Sequence, residues 1–390
     1  MISEIMDDTQ VNNTDTLLAS FVAIPSVSGN FKVANHILNF VENALAPYDL
    51  YLQRFTNGGY PSLVATTQNT KTPKVMLYAH LDVVDAPSQL FKLRLEDGNY
   101  LGRGVLDMKA AAVAYLHIID GLQDVLHSYD IGIMFTTDEE DCGEFGAGML
   151  AKKGYLPEVC IMPDSGFGTH WQVEASAKGC WFARITSIGV SAHGAKPWEG
   201  DSASIKLIQA LHDIVALFKD GQKPETPTIN VSLLQGGKSI NQIPAAAMAS
   251  IDVRYGNLEV FYNLRDEILK ICERHNVLLQ TVRKWNQPTV HNLGHPLVNS
   301  FLRHVALQTG VVPKPFTAYG TSDARFFAEY SVPCVLLSPP GGGAHSDHEW
   351  LSKEGYEQFQ LILRAYLDEV AKIPAQDTEI IATDALTIPV

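Results

Sequence analysis

Apolar positions along the chain follow two rhythms, and each predicts a kind of element. Val75–Ala79 and Ile131–Thr137 are short unbroken runs with the length and β-rich makeup of strands buried on both faces of a sheet. Val159–Met162 is a third such run, while Tyr51–Thr56 and Leu63–Thr67 read as short strands leading into the first. Thr14–Phe21 and Lys32–Ala44 show helical periodicity instead, with the PSVSGN turn between them. Ala110–Leu122 is apolar almost all round, which predicts a helix packed directly on the sheet. Leu93–Asp97 and Tyr100–Gly102 flank Gly98 like the arms of a small hairpin, and Gly146–Lys152 reads as a shorter helix.

Past Lys178 the pattern changes. Phe182–Val190 alternates as a half-exposed strand, Ser204–Phe218 is an amphipathic helix, and Ile229–Leu234 and Ala247–Val253 are strands. Leu258–His275 is a helix and Val277–Val282 a last strand. The order β-α-β-β-α-β is that of the ferredoxin-like split unit, a compact layer of its own. Helix–strand alternation resumes after Pro288 with His295–Gln308, Val335–Leu337 and Glu354–Ala371. The fold class expected is therefore α/β, with residues 1–178 and 291–390 forming one domain and 179–290 an inserted α+β domain. The exposed edge and amphipathic helices of the insert make it a candidate surface for a homodimer. The tail Pro374–Val390 lacks clear periodicity and is expected to dock loosely.

Composition then narrows the partners. A chain of 390 residues is long for one core, which agrees with two domains. The formal net charge of −14, from 29 basic and 43 acidic residues, disfavours nucleic acid or an anionic membrane, since either calls for a basic face. No run approaches the ~18 apolar residues of a membrane span. The start, MISEIMDDTQVNNTDT, has neither the basic nor the apolar stretch of a secretory leader. The five cysteines are widely spaced, odd in number and without C-x-x-C, so they read as reduced thiols, and a cytoplasmic location is expected.

Candidate chemistry gathers where the buried runs stop. His80 and Asp82 follow the first run, Asp138, Glu139 and Glu140 the second, and Asp164 the third, while Asp107 precedes the long apolar helix. Open α/β sheets carry their sites beyond the carboxyl ends of such strands. One imidazole with several carboxylates is a donor set for divalent zinc, with oxygens enough for two ions. Each acid alone reads better as a cap or a solvated loop residue than as a ligand; their arrival together behind separate strands points to a metal. Cys142, just past the acids, reads as a loop thiol because the oxygens suffice. Behind Val335–Leu337 the glycine-rich SPPGGGAHSDHEW carries His345 and His348, and glycine lets backbone approach an ion closely.

His80-Leu81-Asp82, Asp107-Met108-Lys109, Asp138-Glu139-Glu140, Pro163-Asp164 and Ala344-His345, taken together, resemble the motifs of the M20 family of metallopeptidases and deacylases. That family includes acetylornithine deacetylase, succinyl-diaminopimelate desuccinylase, aminoacylase-1, glutamate carboxypeptidase and various dipeptidases. The resemblance runs through nearly the whole chain in order. It implies a zinc-peptidase-like catalytic domain with a mixed central sheet, interrupted by a ferredoxin-like lid and dimerisation domain. It further implies two Zn2+ ions, with Co2+ or Mn2+ also compatible with the donors. In that pattern His80 and Asp164 hold one ion, Glu140 and His345 the other, and Asp107 bridges them. Asp82 orients His80 through its far nitrogen. Glu139 is the general base that takes a proton from the attacking water and passes it to the leaving amine.

The insert resembles the family as well. Ser191-Ala192-His193-Gly194 matches the histidine that reaches the partner subunit's active site and stabilises the oxyanion. Asn241 and Arg254 match residues that bind a substrate carboxylate, a role suited to a planar guanidinium; on its own, His193 also reads as a turn residue and Arg254 as half of a strand-face ion pair. Gly320, Thr321 and Ser322, with Asp323, resemble the substrate-facing GTSD loop of the desuccinylases. Two departures stand out. His348 occupies the position where the family's last motif usually has an acid, and the fourth ligand is Asp164 where the amino-acid deacylases and the desuccinylase carry Glu. Asp at that place is the peptidase pattern, so the resemblance implies hydrolysis of a small peptide in preference to an N-acyl amino acid. The alternative is a biosynthetic deacylase of the acetylornithine or succinyl-diaminopimelate type.

Overall fold

The computed structural model describes residues 14–218, 223–282 and 286–374; the expectations for the polar start and for residues 375–390 of the tail fall outside them. A six-stranded sheet forms the frame, in the order Tyr51–Asn57, Tyr60–Thr66, Ile131–Thr136, Val75–His80, Val159–Ile161, Cys334–Val335. The last four strands are parallel and the first two join antiparallel, so the sheet is mixed. The three runs read as buried are buried at every position, and the helix Lys109–Leu122 lies on the strand Val75–His80, where the Tyr115 hydroxyl donates to Tyr78 O at 3.0 Å. Parallel strands covered in this way bring four carboxyl ends to one edge, where His80, the 138–140 acids, Asp164 and the His345 loop follow.

The insert has its own apolar core, drawn from Trp181 to Val277. Its four-stranded antiparallel sheet runs Thr228–Gly236, Ala246–Tyr255, Gly179–Ile188, Val277–Thr281, the ferredoxin-like order. Ala247, Ala249, Ile251, Val253 and Tyr255 alternate inward beneath the helices Ala203–Val215 and Leu258–Arg274. Both helices start on a side-chain cap, with Ser202 Oγ accepting from Ile205 N and Asn257 Oδ1 from Val260 N.

The structure contains one sheet that the sequence pattern does not announce. Gln172–Ala177 pairs antiparallel with Thr289–Val290 and parallel with Lys314–Ala318. Its sequence QVEASA is small and polar, without an apolar run or clean alternation, so neither rhythm reveals it. The strand expected at Val335–Leu337 is shorter, Cys334–Val335, because Leu336 O turns to accept the N–H of Glu174 in this second sheet.

Candidate metal centre

His80 closes its strand fully buried. Its Nδ1 lies 2.9 Å from the carbonyl oxygen of Asp82, which can only accept, so Nδ1 carries the proton and the Nε2 lone pair points the other way. There it meets Asp107 Oδ1 at 2.9 Å and Asp164 Oδ1 at 3.7 Å. Facing two carboxylates, this nitrogen is matched by a second proton or by a metal cation placed between them. Burial works to lower the His80 pKa, yet Asp107 and Asp164 hold it well above the ordinary value.

Asp107 turns its other oxygen to His345 Nε2, 3.2 Å away, and His345 Nε2 also stands 3.1 Å from Glu140 Oε1. The donor atoms fall into two groups, His80 with Glu139 and Asp164, and Asp107 with Glu140 and His345, each within 4.8 Å. Burial raises Asp164 to about 7, and burial with the charge of Asp164 holds Glu139 well above the carboxylate range. Crowded, desolvated acids and two inward imidazole nitrogens are a donor set that fits a pair of divalent cations, with Asp107 between them. His348 and Cys142 lie outside both groups among the described residues.

Two supports hold this arrangement. Asp82, 1% exposed, accepts the backbone N–H of Glu139 at 3.2 Å and of Glu140 at 3.0 Å. This corrects the expected role: its carboxylate stays 3.6 Å from His80 Nδ1, and it is the Asp82 carbonyl that orients the ring. The second support, Glu349, went unread in the sequence. It accepts Arg103 Nη1 at 2.7 Å and the backbone N–H groups of Gly104, Leu106 and Asp107 at 3.0, 2.9 and 3.2 Å. A single acid four residues past His345 carries no signal in sequence, since its three backbone donors sit more than 240 residues away.

Asp323 is another buried acid, bonded to the Tyr78 hydroxyl beneath the 138–146 loop. Gly143 in that loop has φ +59, and a Cβ there would stand 1.8 Å from Asp323 Oδ1, so only glycine fits.

A cavity of about 480 Å³ opens beside the two groups, and Gly320, Thr321 and Ser322 line it. His193, Asn241 and Arg254 do not line it. His193 and Asn241 share one exposed corner of the insert, where Gly194 N donates to Asn241 O at 2.7 Å. Arg254 holds Asp252 in a two-pronged pair at 2.8 and 3.1 Å and stacks over Phe182. Among the described residues no helix is long and apolar enough to cross a membrane.

Comparison with known proteins agrees with this geometry. The family model for peptidase family M20/M25/M40 matches residues 76–369. Succinyl-diaminopimelate desuccinylase of Acidiphilium cryptum is 28% identical over 291 residues, 70% of this chain and 76% of that protein. The same enzyme of Gluconacetobacter diazotrophicus is 25% identical over 314 residues, 76% of this chain and 81% of that protein. In fold, a tripeptidase of Staphylococcus aureus superposes with a TM-score of 0.76 at 19% identity, covering 92% of this chain and 98% of that one. Human carnosine dipeptidase 1 does so with a TM-score of 0.71 at 15% identity, covering 92% and 95%.

Proposed function

The chain belongs to peptidase family M20/M25/M40, a family of metal-dependent hydrolases, and from that premise we propose that it cleaves the amide bond of small peptides bearing a free carboxylate, using two zinc ions. The observation that carries this reading is Asp107, with one oxygen facing each histidine and Glu139 beside the cavity. Held there, two divalent cations would polarise the scissile carbonyl and ease deprotonation of water. Glu139 takes that proton as general base and returns it to the leaving amine as general acid. Asp82 keeps Glu139 in place by its backbone N–H. Thr321 and Ser322 offer hydroxyls and backbone to the substrate across the cavity.

Asp164 as the fourth ligand favours peptides. N-acyl amino acids are the second reading, supported by the GTSD loop at Gly320–Asp323 and by curated relatives named as desuccinylases. The test is product detection by mass spectrometry after zinc-loaded protein meets dipeptides, N-acetyl amino acids and succinyl-diaminopimelate, with Glu139→Gln alongside. Free amino acids from dipeptides alone support the first reading; acetate or succinate release supports the second.

The working unit we propose is a homodimer built on the insert. Ile205 and Ile208 stand 57% exposed on the helix Ala203–Val215, beside the outer strand Thr228–Gly236 with exposed Leu233 and Leu234. A second copy that covers them brings its His193 and Asn241 toward the cavity, where His193 stabilises the oxyanion and Asn241 and Arg254 hold the substrate carboxylate.

A further inference from the structure

One carboxylate fronting the cavity is left over by the metal groups. Glu174 lies on Gln172–Ala177, is 2% exposed, and lines the cavity together with Asp107, Glu139 and Asp164. Its Oε2 accepts the Ser165 hydroxyl at 2.5 Å and its Oε1 faces His291 Nε2 at 3.1 Å, both partners being buried too. Its backbone is fixed by Leu336 O at 3.0 Å and by pairing with Phe316, itself a cavity residue. A carboxylate this buried is costly unless it meets positive charge or several donors. Two donors leave part of its accepting capacity open. Glu174, not His291, fronts the cavity, and no lysine or arginine among the described residues lines it. Lys178, 5.5 Å from the Tyr319 ring, gives its ammonium to Thr226 O instead.

Charge balance gives this residue a direction. Asp107, Glu139, Glu140 and Asp164 would offset two divalent cations, which leaves Glu174, paired with His291, as the acid on the cavity wall with lone pairs open to a cationic group. It is also close to the reacting centre, because Ser165, its hydrogen-bond donor, directly follows Asp164. The α-ammonium of a peptide is separated from the scissile carbonyl carbon by a single carbon. We infer that Glu174 is a specificity-determining residue that receives the free α-ammonium of the substrate and rejects an anionic acyl group in its place. The inference rests on the peptidase reading above and deepens it: a succinyl carboxylate in this position meets like charge.

The experiment compares alanyl-alanine with N-acetyl-alanyl-alanine on zinc-loaded wild type, Glu174→Gln and Glu174→Asp. Binding is measured by calorimetry in a Glu139→Gln background that prevents turnover, and kcat/KM with Glu139 intact. Glutamine preserves the shape, its oxygen accepting from His291 while its NH2 donates to the Ser165 hydroxyl in a reversed bond, and melting temperature and bound metal report whether the fold survives. Losing a charge-assisted contact should weaken the free dipeptide roughly tenfold to a hundredfold and leave the acetylated one within about threefold. Glu174→Asp should retain the preference for the free amine. Equal losses on both ligands mark Glu174 as structural and overturn the inference, as does wild type that binds the acetylated peptide equally well. A binding preference without hydrolysis of any peptide upholds the Glu174 assignment and sinks the peptidase reading instead.

Discussion

Asp82 turns its carboxylate from His80 toward Glu140, whose backbone N–H it accepts at 3.0 Å, and toward the N–H of Glu139 beside it. One buried acid thereby sets the angle at which Glu139 and Glu140 leave the strand Ile131–Thr136. Asp82→Asn replaces an accepting oxygen with an NH2 that faces a backbone donor. Disturbing a support of this type typically costs about tenfold to a hundredfold. The fall should appear in kcat at nearly constant KM, since the substrate contacts are untouched. Steady-state kinetics check this, and a variant whose KM alone rises contradicts it.

Glu139 shares a group with His80 and Asp164, so it could serve as a ligand or as the base. Glu139→Gln separates these roles. As the base, its removal should cost on the order of 10²–10⁴ in kcat, with metal content by elemental analysis unchanged. A variant that loses one metal equivalent along with activity makes it a ligand instead.

Arg103 and Glu349 form a pair with side chains 3% and 1% exposed, and Glu349 also holds the backbone leading into Asp107. Glu349→Ala leaves a buried guanidinium without its counter-charge, held only by Ser346 O, and three N–H groups unsatisfied in the interior. Breaking such a pair costs about 3–5 kcal/mol, to be seen as a lowered urea midpoint with unchanged slope. Stability within ~1 kcal/mol of wild type shows that water replaces the carboxylate without penalty.

Much of this site was legible because its residues end elements that the sequence announces strongly. Unbroken apolar runs revealed the buried strands, and position after a parallel strand located His80, Glu140 and Asp164. The residues that escaped are joined by tertiary contacts rather than by local pattern. Glu349 acts on a loop more than 240 residues away, and Glu174 sits on a strand of small and polar residues. Asp82 was found, but its role was not, because which of its oxygens meets His80 is decided by the path of the loop. Arg254 shows the same boundary: its type suggests a substrate carboxylate, while its pairing with Asp252 two residues earlier is visible only in the fold.

In protein stripped by a chelator, the crowded donors should hold protons. Burial brings Asp164 to about 7, hydrogen bonds donated to Asp107 and Glu140 raise His345 to about 10, and Glu139 lies well above its ordinary range. Cations displace these protons, so the metal-free form binds more protons than the loaded form and metal affinity rises with pH. Calorimetric titration of zinc in buffers of different ionisation heat should show net proton release, greater at pH 6 than at pH 8. An uptake independent of buffer means the ligands are already deprotonated.

The dimer proposal makes the strongest demand, because it requires two chains for one site. If His193 acts on its partner, His193→Ala and Glu139→Gln should each be nearly inactive alone. After mixing with subunit exchange, half of the dimers combine the two variants. In each of those, one cavity has its own Glu139 and the partner's intact histidine, while the other has neither. About a quarter of wild-type activity should therefore return. Sedimentation of the same mixture, alone and with Leu234→Asp in both chains, links the recovery to the edge strand. An active monomer, or a mixture no better than its parents, removes His193 from the partner's reaction and leaves the Glu139 chemistry intact.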